Sequence, residues 1–285
     1  MNVEALAKVT ESPGIDKIAE PLSKGVRRTY SAAGPAGTAI KDTLHGVWLG
    51  HPLHPVFTDI PIGAWTAALA LDCTADGDKA RERAATFALG VGLAGAAGAA
   101  VTGLTDWSET DGTARRQGLI HGLLNIAATT LMAAAFFRRR SGNDGRALAW
   151  TGYTIALGSA WLGGDLVYGK RIGVTHAAID APETFTPVAR SADVAEGAMC
   201  RARKDEADVL LARQRGRLHA LAHPCSHMGG PLSEGTLEDG CVVCPWHGSR
   251  FALDDGRVIN GPATQPEPSF DVREQDGAIA VKRRS

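Results

Sequence analysis

Between residues 84 and 169 charged side chains are scarce, and the apolar positions run on without the polar stripes that a helix at a water-facing surface would carry. Residues 84–105 are 22 in number and hold no charge. At about 1.5 Å per residue a helix of that length crosses a hydrocarbon core of roughly 30 Å. Small residues recur within it at every fourth position, as Gly90, Ala94 and Gly98 and again as Gly95, Ala99 and Gly103. Such rows let helices approach closely inside a bilayer. Residues 117–137 predict a further span and residues 147–168, with Asp165 near the end, another. An apolar stretch over 56–71, interrupted only by Asp59, is the shortest and comes first. The alternative is a soluble bundle of fully buried Ala- and Gly-rich helices, which ought to show polar stripes that the second and third segments lack.

The flanking regions have different patterns. Residues 1–50 alternate charged and apolar positions and are broken by Pro13, Pro21 and Pro35, which predicts short surface helices or a loosely held tail. Residues 177–186 read as a linker. Beyond them come short β-runs at 208–212, 217–222, 241–244, 257–259, 270–273 and 278–282, with Asp239-Gly240, Asp255-Gly256 and Asp276-Gly277 as turns. The expected architecture is multidomain: a four-helix transmembrane bundle over 51–176, then a small antiparallel all-β domain over 187–285. No internal repeat is evident.

Composition changes this picture little. The chain of 285 residues has a formal net charge of -1, so no basic excess points to nucleic acid. Of five cysteines, Cys73, Cys200 and Cys241 form no paired spacing, which argues against a disulfide framework. The first 30 residues contain Glu, Asp and Pro and lack a long apolar run, so no cleavable signal peptide is expected.

Chemistry concentrates between Cys225 and His247. Cys225-x-His227 and Cys244-x-x-His247 are separated by sixteen residues. Two thiolates and two imidazoles can hold a tetrahedral zinc, or a [2Fe-2S] cluster in which one iron takes both cysteines and the other both histidines. Zinc knuckles usually pair two cysteines in one loop. Here each loop supplies one cysteine and one histidine, so each can reach both irons. Gly229, Gly230 and Gly248 stand where backbone has to pass close to such a centre.

These residues resemble the Rieske [2Fe-2S] family, and Asn260-Gly261-Pro262-Ala263-Thr264 resembles its cluster-covering proline loop. The resemblance implies one-electron transfer, with Cys225 and Cys244 on the iron that stays ferric and His227 and His247 on the iron that is reduced. Met228 and Trp246 stand where quinol-oxidising Rieske subunits carry bracing cysteines, which places the likeness with the ferredoxin-like branch. Only 38 residues follow His247. The mononuclear iron domain of a self-contained Rieske oxygenase has no room there. The region from His51 to His176 resembles a bacterial four-helix membrane family of unknown function that carries a His-Pro-x-His-Pro sequence, here at His51-Pro52-Leu53-His54-Pro55.

Alternation of four spans brings His51, His54, His121 and His176 to one membrane side, the side from which the β domain leaves. They form a candidate second centre for haem b, a metal ion or a quinone. The competing expectation is that His51 and His54 cap the first helix while His121 bonds across the bundle to Asp59 or Asn125. The partners expected are the bilayer and a redox protein, either a reductase or an electron acceptor; a redox-sensing or transport-associated role with a regulatory cluster is the alternative. Lys41, Arg115, Arg116, Lys170 and Arg171 lie near the spans on the β-domain side, against Lys79, Arg81, Arg83, Arg138, Arg139, Arg140 and Arg146 opposite. That count favours an external β domain. Lys17, Lys24, Arg27 and Arg28 in the N-terminal stretch favour a cytoplasmic one, which is the orientation expected for this multi-pass cell-membrane protein.

Overall fold

The computed structural model describes residues 10–177, 182–205 and 207–284. Residues 178–181, within the expected linker, lie outside the described residues. The chain divides into two compact units. One joins Gly37 and the described residues before it to Pro52–Ile172; the other joins Thr38–His51 to the described residues of Gly173–Ser285.

The helical unit contains α1 (Asp16–Ala32), α3 (Leu53–Cys73), α4 (Lys79–Ser108), α5 (Gly112–Arg140) and α6 (Arg146–Tyr168), while α2 (Gly34–His45) runs from this unit into the other. Asp78 starts α4 by accepting from the backbone N–H groups of Ala80 and Arg81 at 2.8 and 3.4 Å, which satisfies donors a helix start leaves open. The small residues of α4 then receive the large ones of α3. A Cβ added at Gly92, Gly95, Gly98 or Gly103 would collide with Trp65, Ile60, Phe57 or His54 respectively. Gly90 faces Phe136 on α5 instead. Trp65, Leu69, Leu89 and Met132 close the core.

Outward faces are apolar too. Phe87 is 75% exposed, Ile126 64% and Leu123 56%. A water-soluble unit rarely leaves such surface uncovered, whereas a bilayer covers it. Three helices, α3, α4 and α5, are long and apolar enough to cross a membrane. The expected fourth span forms as α6, but Thr151, Thr154, Ser159 and Asp165 dilute its apolar character and it is not among the three. Within the N-terminal stretch, α1 is tied down. Arg116 and Arg115 reach Asp16 at 2.9 and 3.3 Å, and Tyr30 bonds Thr105 at 2.7 Å.

The second unit is antiparallel throughout. Its strands are β1 (Thr186–Arg190), β2 (Met199–Lys204), β3 (Ala207–Gln214), β4 (Arg217–Ala222), β5 (Thr236–Glu238), β6 (Cys241–Val243), β7 (Arg250–Ala252), β8 (Val258–Asn260), β9 (Phe270–Gln275) and β10 (Ala278–Arg283). They form sheets in the orders β1-β10-β9, β2-β3-β4 and β5-β6-β7-β8. Two of the Asp-Gly pairs, Asp239-Gly240 and Asp276-Gly277, make hairpin turns with both residues at positive φ, as two-residue hairpins demand. Strand β3 is buried on both faces. Val209 and Leu211 join one core with Ile279 and Val281, and Leu210 joins the other with Val242, Phe251 and Leu232. That second core lies directly beneath Cys225 and Cys244.

Candidate metal centre

Cys225 follows β4 and Cys244 follows β6, so each stands where a strand ends and the chain turns. The two turns share one backbone wiring. The Cys225 carbonyl accepts from Gly229 N at 2.8 Å while Cys225 N donates to the Gly230 carbonyl at 2.9 Å. The Cys244 carbonyl accepts from Gly248 N at 3.0 Å while Cys244 N donates to the Ser249 carbonyl at 2.8 Å. Equivalent turns thus form despite the different Cys-to-His spacing. Gly229 and Gly248 occupy matching positions at φ of 75° and 74°. A Cβ on Gly248 would meet nothing within 4 Å, so the backbone angle, not crowding, calls for glycine there. Gly230 is the close approach: a Cβ there would stand 2.8 Å from the Cys244 Sγ.

The wiring brings like donors together. Cys225 and Cys244 are buried, and the thiol of Cys225 donates to the sulfur of Cys244. That bond, with the backbone N–H groups of Trp246 and His247, brings the Cys244 thiol down to about 6. The same bond to Cys244, reinforced by burial, pushes Cys225 up. The rings of His227 and His247 lie 5.1 Å apart and nearly perpendicular. His227 Nδ1 is buried without a hydrogen-bond partner. Burial holds this imidazole well below its usual range, helped by the positive potential of His247, His45, His176 and Lys41. A neutral imidazole with an orphaned nitrogen has the character of a metal ligand.

Among the described residues no three His, Cys, Asp or Glu side chains converge as one ion would require. Two buried cysteines and two facing imidazoles, one of them with an orphaned nitrogen, are the donor set of a [2Fe-2S] cluster in which one iron takes the sulfurs and the other the rings, so the residues fit that group. Cys73, Cys200 and Cys241 are free thiols, and no disulfide occurs among the described residues.

Sequence reasoning missed the supports of these turns. Glu267, flanked by Pro266 and Pro268, is buried under the first turn, where its Oε1 accepts from the backbone N–H of Ser226 and its Oε2 has no partner. His45 is buried, and His176 lies against the first turn: its N–H donates to the Ser226 carbonyl at 2.9 Å, and its ring would touch a Cβ on Gly229. Burial pushes Glu267 up to about 8, from 4.5 in an open chain. A carboxyl raised in the folded state contributes stability that is complete below the unfolded value and lost as pH rises through the folded one. Thermal stability should therefore fall between about pH 4.5 and 8, and Glu267→Gln should flatten that fall. An unchanged slope in pH-dependent melting would contradict this.

Of the four histidines considered for a second centre, His54 and His121 are brought together in the helical unit. Their rings are 6.5 Å apart. His54 Nδ1 donates to the Ala99 carbonyl and His121 Nδ1 to that of Ser159, each at 2.9 Å. Asn125 Nδ2, one turn further along the same helix, donates to His121 Nε2 at 3.1 Å, so the bond that His121 makes across the bundle goes to Ser159 and not to Asp59 or Asn125. His51 and His176 belong to the β unit.

The family profile of the Rieske [2Fe-2S] domain matches residues 184–273, and that of "Predicted membrane protein (DUF2231)" matches residues 50–176. The mouse protein "Apoptosis-inducing factor 3" is 36% identical over 74 residues, 26% of this chain. The match spans only 12% of that relative's length. The "Biphenyl 2,3-dioxygenase, ferredoxin component" of Rhodococcus jostii is 32% identical over 97 residues, 34% of this chain and 91% of the relative. The "3-phenylpropionate/cinnamic acid dioxygenase ferredoxin subunit" of Escherichia coli K12 is 37% identical over 92 residues, 32% of this chain and 85% of the relative.

Proposed function

Because the chain belongs to the Rieske [2Fe-2S] family through its C-terminal domain, we propose that it is a membrane-anchored ferredoxin-like protein that passes single electrons between a reductase and an acceptor. The observation that carries this reading is the pair of equivalent turns that set two thiols side by side and two imidazoles face to edge. In this reading Cys225 and Cys244 hold one iron and His227 and His247 the other. When bound, the cluster supplies a one-electron couple. The chain's own residues prepare for it: the low Cys244 thiol gives up its proton readily, and buried His227 stays neutral. The apolar core of Leu210, Val242 and Phe251 keeps water from the sulfurs. Two relatives are ferredoxin parts of dioxygenases, which makes an oxygenase one class of acceptor for this chain.

Anchoring in a membrane confines the search for that partner to two dimensions. We assign the β domain to the cytoplasmic side on the basic residues Lys17, Lys24, Arg27 and Arg28. A finer reading adds a second redox centre, haem b or a metal ion, between His54 and His121. Its support is that both Nδ1 atoms are anchored on backbone carbonyls, which leaves each Nε2 as the metal-facing nitrogen; Asn125 has to turn away first.

One preparation tests both. The purified protein should contain about two irons and two sulfides per chain and show a reduced-state paramagnetic signal with an average g below that of an all-cysteine cluster. Its midpoint should fall in the lower part of the roughly -150 to +300 mV Rieske range, because Phe251 stands where the high-potential Rieske domains that this one resembles carry a hydrogen-bond-donating tyrosine, and no disulfide braces the turns among the described residues. Absence of that signal in iron-replete protein defeats the electron-transfer reading. A Soret band lost in His121→Ala supports the second centre; no Soret band in haem-replete cells removes it.

A further inference from the structure

The segment Thr38–His51 precedes the first apolar helix in the chain, yet it packs into the β unit. Asp42 is its fixed point. Its Oδ2 accepts from Asn260 Nδ2 and its Oδ1 from the backbone N–H of Gly261, both at 2.9 Å. Val47 closes the same corner. A Cβ on Gly261 would stand 3.0 Å from Val47 Cγ2 and 3.1 Å from Asp42 Oδ1. One carboxylate therefore takes a side-chain donor and a backbone donor from consecutive residues of the proline loop. The loop passes that restraint on. The Ala263 N–H donates to the Oγ of fully buried Ser249 at 3.0 Å, and the Ser249 carbonyl accepts from Cys244 N at 2.8 Å. A chain of hydrogen bonds and short backbone links thus runs from Asp42, through Gly261 and Ala263, to Ser249 and Cys244.

Resting on the reading that the two turns hold a [2Fe-2S] cluster, we propose that Asp42 is a positioning residue for that centre, reaching it from the segment ahead of the membrane helices. It holds Asn260-Gly261-Pro262-Ala263 against the second turn, and its negative charge opposes reduction. The sign follows from elementary electrostatics. Reduction adds one negative charge, which a neighbouring carboxylate disfavours and an inflow of water favours. Removing Asp42 takes away the carboxylate and loosens the loop that excludes water, so both effects raise the midpoint.

The experiment uses the full chain with its cluster, in wild-type, Asp42→Ala and Asp42→Asn forms. It follows the midpoint by paramagnetic resonance and the exchange of the Gly261 amide with deuterium. Asp42→Ala should speed that exchange about tenfold, as expected for loss of a charge-assisted hydrogen bond of ~1.5 kcal/mol. It should also raise the equilibrium constant for reduction about tenfold, or ~59 mV for a one-electron couple. Asp42→Asn keeps one acceptor and loses the charge, so its midpoint should rise with a smaller gain in exchange. An unchanged midpoint in Asp42→Ala overturns the proposal even if exchange quickens, because Asp42 then only braces the loop. If Asp42→Ala does not accumulate, Asp42→Asn decides alone, and a wild-type midpoint overturns it. A wild-type protein with no Rieske signal defeats the cluster reading instead; Gly261 exchange then still judges the clasp, and an unchanged rate in Asp42→Ala removes it.

Discussion

Cys244→Ser and His247→Ala are each expected to reduce cluster-bound iron from about two atoms per chain to near zero, with loss of the low-g signal. Each turn contributes one sulfur and one imidazole, so no other donor in the turn can take over. Ser249, the nearest hydroxyl in sequence, is already committed to the Ala263 N–H at 3.0 Å. The loss should extend to folding. Cys225 and Cys244 pack in the same core as Leu210, Leu221, Val242 and Phe251, and ligand binding that occurs only in the folded state stabilises that state. The β domain should consequently melt well below wild type in both variants, while the helical signal persists. Trp246→Ala is the control. Its side chain is 57% exposed in the same turn, so cluster content and g values should be those of wild type. Retention of an unchanged signal in His247→Ala would refute the ligand assignment.

The features that were legible in the sequence are the local ones. Long apolar runs with almost no charge have few ways to fold other than as apolar helices, and α3, α4 and α5 form where those runs lie. The Asp-Gly pairs at 239 and 276 marked hairpins because positive φ at both positions excludes most other residues. Strands β1, β2, β5 and β7 escaped notice. Those at 236–238 and 250–252 are three residues long, too short for alternation to show, and their pairing with β6 supplies the structure that propensity does not. The small-residue rows on α4 were visible, but not which partner each position meets: that depends on where the large side chains fall, and Ile60, Phe57 and His54 of α3 meet Gly95, Gly98 and Gly103 while Gly90 faces Phe136 and Gly92, in neither row, receives Trp65. Asp42 and Glu267 could not have been found. Their partners lie 218 and 41 positions away in the chain, and nothing in their immediate neighbourhood encodes a contact so remote.

The same limit hid an ion pair in the helical unit, and breaking it should have the largest effect on that unit's stability. Asp72 and Arg139 are joined through two bonds, Nη1 to Oδ1 at 2.8 Å and Nη2 to Oδ2 at 2.5 Å, with side chains only 2% and 9% exposed. Both residues stand next to the last of their helices, α3 and α5. A cation is favourable at a helix C-terminus and an anion is not, so Asp72 depends on Arg139 more than Arg139 depends on Asp72. Arg146, 3.9 Å from Asp72, is half-exposed and also faces Glu82 at 3.5 Å, so it cannot substitute. Truncating one partner of a buried pair leaves an uncompensated charge, at a cost of about 3–5 kcal/mol, whereas replacing both with apolar groups is often neutral. Arg139→Met should therefore destabilise the detergent-solubilised protein by ~3 kcal/mol or more. Asp72→Leu should cost somewhat less, because the freed guanidinium still faces the carbonyls at the end of its own helix and can reach toward water. The double variant Asp72→Leu/Arg139→Met should recover most of the loss. Thermal unfolding of the three proteins measures this directly, and a double variant as unstable as the sum of the two singles would mean that the pair is not coupled at all.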